Sequence, residues 1–444
     1  MTESALISSD HLISHLDQLV GLPGSSGNTE DLIAVAGRVA TRMRYAGLHV
    51  DTLNTPGAPI VVGRRSGRSP FTLLLYHHYD VPPPGAWRSW NHDPFQIAER
   101  EQALYGRGVA AGKGPLVAHL HALATLIESD GDLPCGIVVI AEGEGLSGSP
   151  HIAKTLAEQR ELLRADAVLA TGGDRDSLGR PCCYAGTKGL LQVRMRATGA
   201  GMPLPAGLAA SVPNPLWRLL WALTQIKSDQ EEILINGFYD TIDGPGRGDS
   251  KALRAVRFDE ESRAEAWELP QFLFAMSDAA IVQAEATLPT CNITAITAEP
   301  VSDLAIIPTA ANARIDFQLV PRQFPQAVFE LLDRHLAEKG LADIQLERLP
   351  GGYPGAVTAL DDRFVGMASE AGVPVFGSSL VILPRGPFTQ PLSLFNQAYG
   401  APTAIIGLAR PDSATFAANE HIPISDLINH GQHLIELMLA CGRG

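Results

Sequence analysis

The segment LLLYHHYDVPPPGAWRSWNHDPF carries a His-x-Asp pair, His78 and Asp80, at the end of an apolar run. Strand side chains alternate, so residues two apart share a face and the carboxylate can orient the imidazole. Such a pair can present a ring nitrogen to a metal with the carboxylate behind it, or act as a metal-free base. An inherited packing interaction is the competing reading. His77 points the other way on the same alternation, which suits a structural or surface role. Downstream, LYGRGVAAGKGP contributes Lys113, and EGEGLSGS contributes Glu142 and Glu144, two carboxylates able to move protons. Cys182 and Cys183 would need a neighbouring base to become nucleophiles, and the sequence shows none. Arg385, in LPRGPF, has the planar fork that suits a carboxylate, although a surface place fits it equally.

These residues are placed by two kinds of element. Residues 10–48 alternate apolar and polar positions at helical spacing, broken by GLPGSSGNTE. Short apolar runs of buried-strand character follow at 59–62, 71–76, 136–140 and 167–169, with a helical stretch over 114–128. Strands alternating with helices predict an α/β layer structure with a mostly parallel sheet. After Gly189 the pattern changes. LLQVRMRATG, TCNITAITAE, ARIDFQLVP and ADIQLERL read as strands, and NPLWRLLWALTQI and FPQAVFELLDRHLAEKG as helices. This makes a small α+β unit. From about Asp361 the α/β pattern returns in LVILP, TAIIGLA and ISDLINHGQHLIELMLA. The chain therefore parses as a discontinuous α/β domain, 1–189 plus 353–444, with an α+β domain, 190–352, inserted in it. There is no internal repeat and no low-complexity tract.

Bulk composition limits the partners. A chain of 444 residues is too long for one core. A net charge of -14 disfavours nucleic acid. No apolar run approaches the ~20 residues that cross a bilayer, and MTESALISSDHL lacks the form of a signal peptide. Five scattered cysteines do not read as a disulfide framework, so a reducing cytoplasm is expected.

Taken with their flanks, the motifs resemble the zinc metallopeptidase family that includes aminoacylase, carnosinase, carboxypeptidase G and succinyl-diaminopimelate desuccinylase. The resemblance runs from near the N-terminus to the closing helix, with the carnosinase branch nearest. It implies a two-zinc α/β domain, an inserted lid that dimerises, and cleavage of amide bonds in dipeptides or N-acyl amino acids. Carried over position by position, it also implies that most of the metal chemistry is gone. His78 and Asp80 are kept, as are Tyr105, Gly106, Arg107, Gly108, Lys113 and Gly114. The metal-bridging Asp falls on Ala111 and the Asp after it on Gly112. The general base falls on Gly145 and the ligand beside it on Leu146, within matching Glu142, Gly143, Glu144, Gly148 and Ser149. A further Asp ligand falls on Gly172, and the last His ligand on Phe416, ahead of a retained Asn419 and Glu420. The lid's His-Ser-Gly falls on Leu204, Pro205 and Ala206.

One ligand of five then survives, whereas a catalytic zinc takes about three protein ligands and a water. Small or apolar replacements also remove the like-charge cost of carboxylates left facing one another without metal. The expectation is that no metal or other cofactor is held. Ala111, Gly145, Leu146, Gly172 and Phe416 would line the old metal cavity, and Leu146 and Phe416 would make it partly apolar. Lys113, Asn292, Arg385 and Asn419 are the candidate ligand-binding residues, and His78 with Asp80 the candidate catalytic pair, backed by Glu142 or Glu144. Lys188 and Gln318, standing where the family often has Arg, suggest an altered ligand. Two functions remain open: a metal-independent enzyme acting on an amide or acyl-amino-acid-like molecule, or a non-catalytic protein that binds a small ligand or partner. A working zinc peptidase with displaced ligands ranks below both. The expected partners are a small or peptide-like molecule and a second copy of the chain, with no nucleic acid and no membrane.

Overall fold

A computed structural model describes residues 7–176, 179–256 and 259–443. Residues 1–6, the start of the segment MTESALISSDHL, lie outside that range. Helices α1 (Ser9–Val20) and α2 (Thr29–Tyr45) lead into strands β1 (His49–Leu53), β2 (Ile60–Arg65) and β3 (Gly67–His78). Helix α3 (Lys113–Asp130) and strands β4 (Leu133–Glu142), β5 (Ala167–Thr171) and β6 (Cys182–Tyr184) follow. The chain then leaves this layer through β7 (Gly189–Thr198), α4 (Pro215–Thr224), α5 (Arg247–Ala255), α6 (Glu260–Ala266) and α7 (Asp278–Thr287). Next come β8 (Thr290–Glu299), β9 (Ala310–Leu319), α8 (Pro325–Glu338) and β10 (Gln345–Arg348). It returns through α9 (Arg363–Glu370), β11 (Val381–Leu383), α10 (Leu392–Tyr399), β12 (Thr403–Ile406) and α11 (Ile424–Gly442).

The large sheet has eight strands in the order β1-β2-β4-β3-β5-β12-β6-β11. Its centre, β4-β3-β5-β12, is parallel throughout. Alternation on β3 sends Leu73 and Leu75 into one core and Leu74 and Tyr76 into the other. The first core is closed by α1, α2, α3 and α11, the second by α10 and its neighbours. Local chemistry sets the helix ends. Asn28 accepts from the Asp31 amide to start α2, and Gly131, at φ 76°, ends α3 in the left-handed region.

The smaller sheet is antiparallel in the order β8-β9-β7-β10, with α4 and α8 packed on a core that includes Val193, Phe317 and Leu332. The sequence pattern names no helix in 247–287, yet α5, α6 and α7 form there. They are short, at 9, 7 and 10 residues, and no long stripe announces them. Leu253, Val282 and Ala286 from this stretch join the second core of the large sheet. The inserted segment thus shares its apolar residues between two cores. All five cysteines are buried and unbridged. Among the described residues no helix is long and apolar enough to cross a membrane.

Candidate functional site

His78 ends β3 and Asp80 follows it, and the fold brings the two together. Asp80 is fully buried and lies 3.1 Å from Nδ1 of His78, whose side chain is 21% exposed. The amides of Gly145 and Leu146 donate to the two Asp80 oxygens at 3.2 and 3.0 Å. Burial alone would lower the His78 pKa, but the hydrogen bond and charge of Asp80 outweigh it, and the net shift is upward. Glu142, at the end of β4, is buried under this pair and bonded to the Tyr76 hydroxyl. Burial pushes its carboxyl up to about 7. His77 turns to the opposite face, where its Nε2 lies 3.0 Å from Nδ1 of His119 on α3. His119 stacks on His430 of α11 at 4.4 Å, so His77 is structural.

Several expected site residues have other work. Lys113 is fully buried and donates to the carbonyls of Leu22 and Pro23, so it latches the loop after α1 and does not reach toward His78. Asn419 accepts from the Asn91 amide at 2.8 Å and donates to Ser89, tying down another loop. Glu144 turns toward the Ala58 amide at 3.2 Å and His151 at 3.4 Å, away from Asp80. Asn292 lies exposed on β8, opposite Asp316. Arg385 is directed to the Ala286 carbonyl at 2.7 Å. Phe416 is 77% exposed, so it does not supply the apolar lining expected of it. Pro205 and Ala206 are likewise exposed, and Leu204 is half-buried.

The sequence reading missed the role of the retained Glu420. Its buried carboxylate accepts from Arg107 Nη1 at 3.0 Å and from the amides of Gly108, Ala110 and Ala111 at 2.9, 3.0 and 3.2 Å. Burial pushes its carboxyl up, against these donors and the Arg107 charge. Arg107 also bonds the carbonyls of Thr415 and Ala417 and stands 4.9 Å over Trp90. The Arg-Gly and Asn-Glu pairs, kept at opposite ends of the chain, were the available signal. The retained residues hold the loops around the site through their side chains, while the altered positions Ala111, Gly145 and Leu146 contribute backbone amides.

The positions that the resemblance assigns to the metal ligands and base offer poor donors. Ala111, Gly145, Leu146 and Gly172 have no ligating side chain, and both oxygens of Asp80 already accept backbone hydrogen bonds. A Cβ on Gly145 would stand 2.6 Å from His78 Cβ, so the backbone has closed over the ring where a longer side chain would enter. A Cβ on Gly172 would meet Gln390 Nε2 at 2.8 Å and the Phe388 ring at 3.1 Å. Gln390 is fixed there by donating to the Thr171 carbonyl at 2.7 Å. Among the described residues no three His, Cys, Asp or Glu side chains converge as a metal site.

The His78–Asp80 pair thus lies at the end of a central strand of a mostly parallel α/β sheet, with a separate antiparallel sheet formed by the middle of the chain. The chain belongs to peptidase family M20/M25/M40, whose profile matches residues 74–440. It is 22% identical over 383 residues to the Beta-Ala-His dipeptidase of Homo sapiens, covering 84% of this chain and 75% of that one. It is 24% identical over 284 residues to the probable di- and tripeptidase DUG2 of Saccharomyces cerevisiae, covering 62% of this chain but only 30% of that protein. The match to the cysteinylglycine-S-conjugate dipeptidase of Corynebacterium striatum spans 54% of that protein at 28% identity. Two of these matches therefore cover about a third to a half of the relative's length. An M20 family metallo-carboxypeptidase from Sulfolobus solfataricus superposes with a TM-score of 0.90 at 27% identity, over 98% of this chain and 100% of that one. Human carnosine dipeptidase 1, at 21% identity and a TM-score of 0.87 over 98% of this chain and 97% of that one, shares the fold.

Proposed function

We propose that this chain is a member of its peptidase family that works without the two-metal centre, acting on an amide, dipeptide-like or N-acyl-amino-acid-like molecule with His78 as base. The single observation that carries this reading is the His78–Asp80 pair itself. It joins a partly exposed imidazole to a fully buried carboxylate at 3.1 Å, and that carboxylate is locked in place by two backbone amides. Asp80 holds the ring's orientation and raises its basicity, leaving Nε2 to take a proton from water or substrate. General-base action of this kind contributes about 10²–10⁴-fold. The substrate class comes from relatives named as dipeptidases. The five reduced cysteines support a cytoplasmic setting, and the open edge of β8 with the exposed Trp217 and Trp221 of α4 supports a dimer formed through the inserted domain.

A second reading is favoured by one observation. The lid position where the family resemblance puts a carbonyl-polarising His is Leu204, whose side chain can polarise nothing. On that reading the chain binds a peptide-like ligand and does not turn it over. Both readings require that the chain hold no zinc. The test combines bound metal per chain, after incubation with zinc and manganese, with hydrolysis of β-alanyl-histidine in the presence of chelator. Chelator-insensitive hydrolysis lost in His78→Gln supports the first reading, and binding without hydrolysis supports the second. Close to two metals per chain with chelator-sensitive hydrolysis would refute both.

A further inference from the structure

Two of the five buried thiols touch. Cys135, near the start of β4, and Cys441, in the last turn of α11, both lie in the first core of the large sheet, at 0% and 1% exposure. Their thiols are hydrogen-bonded to each other, which together with burial raises the Cys135 pKa. The two backbones have closed in as well. A Cβ on Gly442 would stand 2.7 Å from Pro134 Cβ and 2.9 Å from the Pro134 carbonyl oxygen, so the end of α11 lies directly against the residue before Cys135. The other three thiols are arranged differently. Cys182 and Cys183 are consecutive on β6 and point into opposite cores, and Cys291 belongs to the core of the smaller sheet.

A disulfide needs its sulfurs about 2.05 Å apart on Cα atoms about 4.4–6.8 Å apart. Thiols already in hydrogen-bond contact, on backbones this close, reach that geometry by rotation about their Cα–Cβ bonds and a small settling of the helix end. We propose that Cys135 and Cys441 form a thiol–disulfide clip that fastens the end of α11 to β4 and opens or closes with the surrounding thiol–disulfide balance. Helix ends open before the core does, so Cys441 is the thiol that meets the oxidant, a small-molecule disulfide RSSR. Its thiolate attacks one sulfur, giving the mixed disulfide Cys441–S–S–R and one RSH. When the turn closes again, the Cys135 sulfur attacks that of Cys441, and its proton leaves with the second RSH. The chain has then lost two electrons and two protons, and RSSR has become two RSH. An excess of small thiol reverses both steps. The loop so closed contains the whole inserted domain, and a long loop is where a cross-link constrains the unfolded chain most. β4 ends at Glu142 under the His78–Asp80 pair, and α11 carries His430, stacked on the His119 that bonds His77. The clip therefore joins the strand and the helix that support the site from below. The inference does not depend on any chemistry at His78.

The full chain, incubated with oxidised glutathione and then alkylated, tests this by peptide mapping without reduction. The expected result is one linked pair joining the Cys135 and Cys441 peptides, with the loss of two free thiols per chain. The oxidised chain should melt a few degrees above the reduced one, and dithiothreitol should return it to the starting value. Cys441→Ala should abolish both the linked pair and the rise in melting temperature, while Cys291→Ala should keep both. Mapping of the unsubstituted chain decides the question even where Cys441→Ala does not fold. All five thiols remaining free, glutathione held only as a mixed disulfide, a linked pair other than Cys135–Cys441, or a linked chain that melts no higher overturns the proposal.

Discussion

Glu420→Gln should destabilise the fold far more than its near-identical shape suggests. All four partners of the carboxylate are donors: Arg107 Nη1 and the amides of Gly108, Ala110 and Ala111. Whichever way the Gln amide is turned, its NH₂ faces two of those donors and loses both bonds. Arg107, only 1% exposed, also loses its counter-charge. Hydrogen bonds to charged groups contribute about 1.5–3 kcal/mol each, and breaking one side of a buried ion pair costs about 3–5 kcal/mol. These overlap, so the expected loss is about 3–5 kcal/mol, against a total stability of roughly 5–15 kcal/mol. Urea unfolding followed by tryptophan fluorescence measures it, since Trp90 lies against the Arg107 guanidinium. Hydrogen exchange supplies a local check: the amides of Gly108, Ala110 and Ala111 should lose protection selectively. A loss under about 1 kcal/mol with unchanged exchange would refute the view that Glu420 organises this loop.

Other outcomes follow from the same geometry. Gly145→Ala should cost about 1–3 kcal/mol in urea unfolding, because its Cβ would sit 2.6 Å from His78 Cβ; a neutral result would show that the backbone there yields freely. Lys113→Met should destabilise the protein while leaving ligand binding unchanged, since its ammonium serves only the carbonyls of Leu22 and Pro23; altered affinity in calorimetry would contradict that. Acid should weaken the fold through the histidines beneath the sheet. Burial pulls His77 down to about 3 and His433 to about 4, with His119 and His430 also lowered. The unfolded chain protonates these rings below about pH 6.5 while the folded chain keeps them neutral, so their contribution is constant above that pH and falls as pH drops toward 4. Four rings, less the opposing Glu142 and Glu420 carboxyls that the fold keeps protonated up to about 7, leave a slope of about 2–3 kcal/mol per pH unit, and urea midpoints that do not change between about pH 7 and pH 5 would contradict it.

The sequence carried the layer architecture because periodicity is a local property. Leu73 to Tyr76 alternate between two cores, and LLQVRMRATG reads as the strand it forms. It also carried the pairing of His78 with Asp80, since two residues on one strand end share a face whatever surrounds them. The helices of 247–287 escaped because each is too short to show a stripe, and α5 and α7 are held by Leu253, Val282 and Ala286 packing on the large sheet. The roles of the polar residues were decided by contacts far apart in the chain. Lys113 finds its partners some 90 residues away and Glu420 more than 300 away, so a residue type that suits ligand binding became a latch. The same holds for the space at Gly145 and Gly172. Residue identity removes the carboxylates, but only the tertiary structure shows the backbone closing on His78 and Phe388 filling the gap, because close packing depends on which distant segments meet.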